Sequence, residues 1–411
     1  MTKAFKLKFS DPEFAAAPHK AFDRLRARGD VFQGRMPIIG NTWFATSYAA
    51  VTEVFRDQDL FARDPRNAGK SSHFSMQWMM PTMFRRLTSN MISRDGADHR
   101  RLRSLADSAF QRSNVEALRD RMKVIAEEQL TAAWQLAQKN GSNEIDLMEQ
   151  FTRRFPLAVI CELLGLPEED HERFTKWFAG LSNISGTLGI IFGMLGIRKG
   201  YKYIQQQIRE QRTAPRDGLI AELIQAEESG ERLSTEELES TVLLLLLAGH
   251  ETTVHLIGVS ILTLLQMPDA RKRFLASEEN ATKTVHELLR HGSVAQYGKP
   301  RWVTRDVSFH SVDLKRGEAI MPVVATANYD PAVFENPHEF DIGRANNNRH
   351  LTFGTGPHIC IGLKLAEAET EIALRELFTR YPAIQLAFDI ENPAWGKRMG
   401  MRSLKELRVQ L

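Results

Sequence analysis

Two stretches of the 411-residue chain put reactive side chains where a purely structural fold has little use for them. The first is His350-Leu-Thr-Phe353-Gly354-Thr-Gly356-Pro-His358-Ile-Cys360-Ile-Gly362, near the C-terminus. Gly354 and Gly356 permit positive φ and a close approach of the backbone to a large flat ligand, which a Cβ would block. Gly362 lets the following chain pack near the same object. Apolar residues Leu365, Ile372, Leu374 and Leu377 then predict a helix from about Leu363 to Arg380. Cys360 so falls beside a helix N-terminus, where free N–H groups and the dipole favour an anion. A thiol there is expected as the thiolate, the form that binds metal. The second stretch is Gly249-His250-Glu251-Thr252-Thr253, which breaks the apolar run 242–248 with an acid and an alcohol.

Cysteine count narrows the chemistry of the first stretch. Zinc sites and iron–sulfur clusters need about four ligands, and the chain has only Cys161 and Cys360. One axial thiolate is sufficient for haem, because the porphyrin supplies the other four donors. The run Phe353-Gly354-x-Gly356-x-His358-x-Cys360-x-Gly362 resembles, position by position, the haem-binding signature of the cytochrome P450 family in its soluble bacterial form. The resemblance spans about residues 11–411 and implies haem b ligated by Cys360.

Composition sets the outer limits. The length allows one large domain or two to three ordinary ones, and no Gly/Ser- or Pro-rich linker divides it, so a single domain over 1–411 is expected. The N-terminal residues show no signal-peptide pattern or membrane anchor. Two cysteines suit a reducing cytoplasm. A net charge of +3 gives no basic nucleic-acid arm, while a locally basic face would suit an acidic protein partner.

The positioning elements follow from pattern. Ser234-Thr-Glu-Glu237 is a capping box that opens a helix to about Gln266. At ~1.5 Å per residue such a helix spans roughly 50 Å, and its centre, apolar all round, predicts burial. Polar residues there must be satisfied locally or used: either Thr252 bonds back to its own helix carbonyl, or Glu251 and Thr252 take part in chemistry. The stretch 155–164 reads as a buried helix ended by Gly165 and Pro167, with Cys161 as core filler. Methionines and aromatics crowd 74–84, including Trp78, Met79 and Met83, and make an adaptable apolar lining. His99 and Arg103 are four apart and share a helix face, as do Glu287 and Arg290.

The resemblance assigns roles to these positions. Ala248 and Gly249 are implied to leave room for the porphyrin face, Thr252 to hydrogen-bond bound oxygen, and Glu251 to relay protons through water. His99, Arg103 and Arg301 are implied to bind the haem propionates, with Phe353, Gly354, His358 and Gly362 framing the cofactor. Glu287, Arg290 and Arg344 become a structural lock. A substrate pocket is implied from Trp78, Met79, Met83, Leu244, Leu247, Val294, Ala295, Gln296 and Met399, with 187–197 as an apolar lid between two helices. One departure is Leu365-Ala366-Glu367, where the family carries Leu-Ala-Arg on the side that meets redox partners.

The implied architecture is mainly α with small β-sheets, the haem lying between the long central helix and the cysteine loop. The implied enzyme is a cytoplasmic, monomeric monooxygenase that hydroxylates or epoxidises a sizeable apolar molecule with dioxygen. Electrons are expected from a separate ferredoxin-type donor and an NAD(P)H-dependent reductase. Neutral polycyclic or macrocyclic ligands rank slightly above fatty acids, whose carboxylate needs a partner such as Arg85, Arg86 or Tyr297. A peroxide-driven fatty-acid hydroxylase of the same fold is the nearer rival, although such enzymes typically lack the acid–alcohol pair. A non-catalytic haem protein is the more distant one.

Overall fold

The protein was analysed as a computed structural model, which describes residues 5–6, 12–36, 39–70, 90–182, 186–229, 233–390 and 392–411, the side chains of 5–6, 175 and 178–194 excepted. The expected pocket residues Trp78, Met79 and Met83 lie outside the described residues.

The elements that frame the site are α1 (Tyr48–Arg56), α2 (Gly96–Asp107), α3 (Arg112–Lys139), α4 (Phe155–Leu164), α5 (Gly186–Thr213), α6 (Thr235–Gln266), α7 (Glu278–Gly292) and α8 (Leu363–Arg380). Helix α6 is the axis of the molecule and packs against α4, α5, α7 and α8. Its start is fixed by the capping box: Ser234 accepts from the Glu237 N–H, and the Glu237 carboxylate accepts from the Ser234 N–H. Val242, Leu243, Leu245 and Leu246 are all buried, as an all-round apolar centre requires. Length and apolarity would allow this helix to cross a membrane, yet two thirds of its most apolar stretch is buried inside the protein (67%).

Sheets are small and sit at one side. One is built from β1 (Phe5–Lys6), β2 (Val31–Met36), β3 (Gly40–Ala45), β4 (Phe61–Ala62), β5 (Arg301–Val303) and β6 (Ala319–Pro322), in the order β1-β2-β3-β6-β5-β4. Strand β5 runs antiparallel to both β4 and β6, which carries Arg301 inward beside the helical core. The result is a mainly helical architecture with small sheets.

The apolar stretch 187–197 lies within α5 instead of forming a loop lid. Its glycines cost roughly 1 kcal/mol each in a helix interior, but Gly196 lets α5 approach its neighbour closely. A Cβ there would lie 2.0 Å from the Trp177 carbonyl oxygen on the helix His171–Ser182. Helix α4 ends at Gly165 in the left-handed conformation (φ 73°), and Cys161 is fully buried within it.

Candidate functional site

The cysteine loop is held open by its glycines. Gly354 and Gly356 have φ of 71° and 74°. A Cβ on Gly356 would lie 2.8 Å from the Phe55 carbonyl oxygen, so both conformation and space require glycine there. The Cys360 N–H donates to the Phe353 carbonyl at 2.9 Å and the Ile359 N–H to Gly356 at 3.0 Å. These bonds close the loop just before α8 begins at Leu363. The Cys360 side chain has open surface, but that surface faces an internal cavity and not bulk water. Burial pushes the thiol above its usual range, against the Gly362 N–H and the Arg103 charge, which pull it down. The Gly362 N–H and the Arg103 charge thus favour the thiolate expected from the sequence, while burial opposes it.

The cavity measures about 340 Å³ and lies between α6 and the cysteine loop. From α6 it is lined by Leu244, Leu245, Ala248, Gly249, Thr252, Thr253 and Leu256. At about 100° per residue these positions sweep one side of the helix, and they leave Leu247 and Glu251 just past its edge. Leu247 packs on the core instead. Gly249 has a second reason to be small, since a Cβ there would meet the Ile160 side chain of α4 at 3.1 Å. The Thr252 hydroxyl donates to the Ala248 carbonyl at 2.9 Å, so its oxygen lone pairs remain for the cavity. Phe353, Gly354, His358 and Gly362 line the cavity with Cys360.

Beyond α6, Val294 and Ala295 line the wall, whereas two other expected pocket residues do not. Gln296 is buried and donates its side-chain amide to the Phe14 carbonyl at 2.9 Å. That bond turns its amide from the cavity that Ala295 meets. Met399 is 47% exposed; Met401 is the residue that bridges to Ala295.

One end of the cavity is cationic. His99, Arg103, Arg301 and His358 line it, joined by Arg63 and Lys299, which the sequence reading did not single out. The His99 and His358 ring centroids lie 3.9 Å apart, with the ring planes tilted by 41°. Burial, then His358 and Arg103, lowers His99 to about 4. Burial likewise lowers Arg63 to about 9 and Arg301 to about 10. Arg63 is anchored on the Ile92 and Pro300 carbonyls at 3.0 and 2.6 Å. Arg103 donates to the Ile359 and Pro357 carbonyls at 2.6 and 3.3 Å, tying α2 to the cysteine loop. The acid serving this end is Asp95, which accepts from the Arg63 and Asp64 N–H groups. Burial opposes its ionisation, but the nearby His358 ring and the hydrogen bonds from those backbone groups bring it down to about 2. Three buried nitrogens here have no hydrogen-bond partner: His99 Nδ1, His358 Nε2 and Arg301 Nε. His358 stands 3.8 Å from Asp95, an ion-pair distance too long for a hydrogen bond. Lys299 was legible in principle, since it sits two residues before Arg301 and shares its side of an extended chain; Arg63 carried no such signal.

Glu251 is differently engaged from Thr252. Its carboxylate pairs with Arg398 and, at 3.3 Å, with His255. Burial disfavours the charge, but the His255 hydrogen bond and the Arg398 charge outweigh it and hold Glu251 well below the usual carboxylate range. The acid and the alcohol, adjacent in sequence, thus do not face the same space. Another acid does line the cavity: Glu369 of α8 is buried, with neither carboxylate oxygen hydrogen-bonded. Burial raises it well above the ordinary value despite a contribution from Thr253.

Away from the cavity, Glu287 and Arg290 form a fully buried pair at 2.7 and 2.9 Å. Arg290 also donates to the carbonyls of Asn328, Pro337 and Glu339. Arg344 reaches Glu287 at 3.5 Å and donates to the Asn336 carbonyl at 3.2 Å. Glu367, the departure in α8, is paired with Lys364 at 2.8 Å.

Comparison with known proteins agrees along the whole chain. The family described as "Cytochrome P450" matches residues 197–278 and 279–386. The polyketide biosynthesis cytochrome P450 PksS of Bacillus subtilis is 33% identical over 402 residues, covering 97% of each chain. Its solved structure superposes with a TM-score of 0.86 and covers 98% of each chain. The vitamin D(3) 25-hydroxylase of Pseudonocardia autotrophica is 33% identical over 96% of this chain and 94% of its own. A myxobacterial cytochrome P450, CYP267B1, solved with myristic acid, is 33% identical, has a TM-score of 0.86 and covers 98% of both chains. The chain belongs to the cytochrome P450 family of monooxygenases.

Proposed function

We propose that this enzyme holds haem b through Cys360 and hydroxylates or epoxidises a sizeable apolar molecule. Dioxygen is the oxidant, and a separate ferredoxin-type carrier with an NAD(P)H-dependent reductase supplies the electrons. The observation that carries this reading is the polarity of one cavity, with a lone sulfur on one wall and, at one end, buried nitrogens that have no partner.

The residues fit the group. A single sulfur suits a metal whose other donors would come from the cofactor itself. Arg301, Arg103, His99 and His358 suit two carboxylates, because planar guanidinium and ring N–H donors match carboxylate oxygens. When bound, haem with a thiolate ligand supplies the activation of dioxygen for insertion of one oxygen atom. The apolar wall of Leu244, Leu245, Val294 and Ala295 excludes water from the reacting region.

Two residues manage protons. Thr252, with its hydrogen on Ala248 and its lone pairs toward the cavity, accepts a hydrogen bond from water and passes a proton on by turning its hydroxyl. Glu251 serves as the inward source only after it leaves Arg398, so proton supply is gated by that ion pair. The substrate class rests on the apolar lining and on relatives whose names specify a polyketide pathway, vitamin D(3) and myristic acid. All three point to large apolar bodies.

The test is the reduced, CO-bound spectrum. A strongly red-shifted Soret band is expected in the wild type and in Cys161→Ala, and its absence in Cys360→Ala. An unchanged band in Cys360→Ala would refute the assignment. In Thr252→Ala, binding is expected to persist while more NADPH is diverted to peroxide; unchanged product per NADPH would leave Thr252 a helix residue only.

A further inference from the structure

We infer, resting on the monooxygenase reading above, that Arg398 is a positioning residue that couples occupancy of the cavity to proton supply. It holds the Glu251 carboxylate aside until a ligand against Ala295 and Tyr297 shifts the segment that carries it.

Arg398 belongs to the turn of a C-terminal arm, residues 395–404. The base of the arm is closed by the Trp395–Leu404 bridge and by the Gly396 N–H, which donates to the Ser403 carbonyl at 2.7 Å. Its second half is bonded to the cavity wall. The Gln296 N–H donates to the Gly400 carbonyl at 3.0 Å, and the Arg402 N–H to the Val294 carbonyl at 2.9 Å. Between them Met401 bridges to Ala295. Tyr297 packs against Gly400, where a Cβ would lie 2.2 Å from its ring carbon Cζ. Val294, Ala295 and Tyr297 all line the cavity. Arg398 itself touches the Met401 sulfur at 3.8 Å, then reaches Glu251 and, at 3.1 Å, His255. Direct contacts therefore lead from the wall that a ligand meets to the acid on α6.

The two partners of Glu251 are not equivalent. His255 is one turn along the same helix and moves with it. Arg398 comes from an arm whose tip, Met399, is 47% exposed and so has room to shift. With Arg398 in place, the carboxylate holds protons too weakly to carry them near neutral pH. With Arg398 drawn away, burial, which already opposes the charge, lifts the proton affinity of Glu251. Protons then reach the cavity when a ligand is present and not before, which spares electrons in the empty enzyme. The described charged groups facing Glu251 are Arg398, His250 and His255, with Arg153 acting on both histidines. Among these, Arg398 is the one carried by a segment bonded to the wall.

The experiment is calorimetric. Testosterone and 1-dodecanol do not titrate near neutral pH, so a proton taken up as they bind goes to the protein. Binding to the haem-loaded enzyme is measured in two buffers of different ionisation heat, from about pH 7 to about pH 5, just above the ordinary glutamate value. A ligand that raises Glu251 draws a proton in, so uptake is expected to grow, and affinity to rise, as the pH falls. Uptake is expected to vanish in Glu251→Gln and in Arg398→Leu, where the acid is released with or without ligand, and to persist in Arg398→Lys. Binding without proton uptake across that range overturns the inference, as does uptake that survives in Glu251→Gln or in Arg398→Leu. So does failure of both probes to bind, since a body of that bulk is what moves the wall. The wild-type result decides by itself if a variant does not fold. The CO spectrum of the same preparations reports separately on the haem-thiolate reading, which can hold whether or not the proton is taken up.

Discussion

Two buried charge clusters lie within this fold, and they are built in opposite ways. Around Glu287 and Arg290, the carboxylate faces two arginines, and Arg290 makes bonds to three carbonyls besides its ion pair. Both residues are fully buried, and the cluster is complete within the chain. Around Arg63 and Arg301, with the more exposed Lys299 beside them, the cations outnumber Asp95, and His99, His358 and Arg301 each leave a nitrogen without a hydrogen-bond partner. Burial lowers the proton affinity of all three cations. Buried charge is tolerated when the protein satisfies it, and where the protein does not, something else has to. The first cluster stabilises the fold; the second is the socket proposed above for the haem carboxylates.

The largest effect should come from breaking the complete cluster. Arg290→Leu strands the buried Glu287 carboxylate and frees three carbonyls, so a loss of about 3–5 kcal/mol is expected in urea unfolding of the haem-free protein. A loss under about 1 kcal/mol would mean that the two clusters do not differ in kind.

Arg301→Leu tests the other side. Removing a buried cation that lacks a full set of partners should leave haem-free stability unchanged or raise it by about 1 kcal/mol. The same change should speed haem transfer to a scavenging apoprotein by roughly 10-fold or more, as one charge-assisted contact is lost. If Arg301→Leu destabilised the haem-free chain as strongly as Arg290→Leu, the socket interpretation would be wrong.

The smallest expected effect concerns pH. Glu251 has a folded-state affinity for protons below its unfolded value, because His255 and Arg398 outweigh burial. Its contribution is therefore complete above about pH 4.3, the ordinary glutamate value, and is lost as the pH falls from there toward the folded value. Arg398→Leu removes the main opposing charge, so burial should lift Glu251 and flatten the decline in stability between about pH 4.5 and 3. Matching slopes for wild type and variant in urea titrations would show that the ion pair does not set the state of Glu251.

Much of this molecule was already determined locally. The capping box at Ser234 fixed where α6 starts, because both of its hydrogen bonds span only three residues. The all-round apolar run 242–248 made the helix a core element. The loop 353–362 was equally readable, since positive φ at Gly354 and Gly356 is a property of the residue itself. Spacing placed Glu287 beside Arg290.

Tertiary structure decided what depends on distant neighbours. Glu251 directly precedes Thr252 in sequence, but Arg398, 147 residues away, draws its carboxylate out of the cavity. Gln296 looked like a pocket residue until the Phe14 carbonyl claimed its amide. The thiol of Cys360 stands above its usual range since desolvation comes from the surrounding protein, and no local motif encodes it. The cationic socket is the clearest case. It joins Arg63, His99, Lys299, Arg301 and His358 from a loop, a helix, a sheet edge and the cysteine loop, and only their convergence around the single acid Asp95 suits it to anions. Local sequence fixes backbone conformation and helix faces over a few residues, whereas burial and charge compensation are sums over the whole fold.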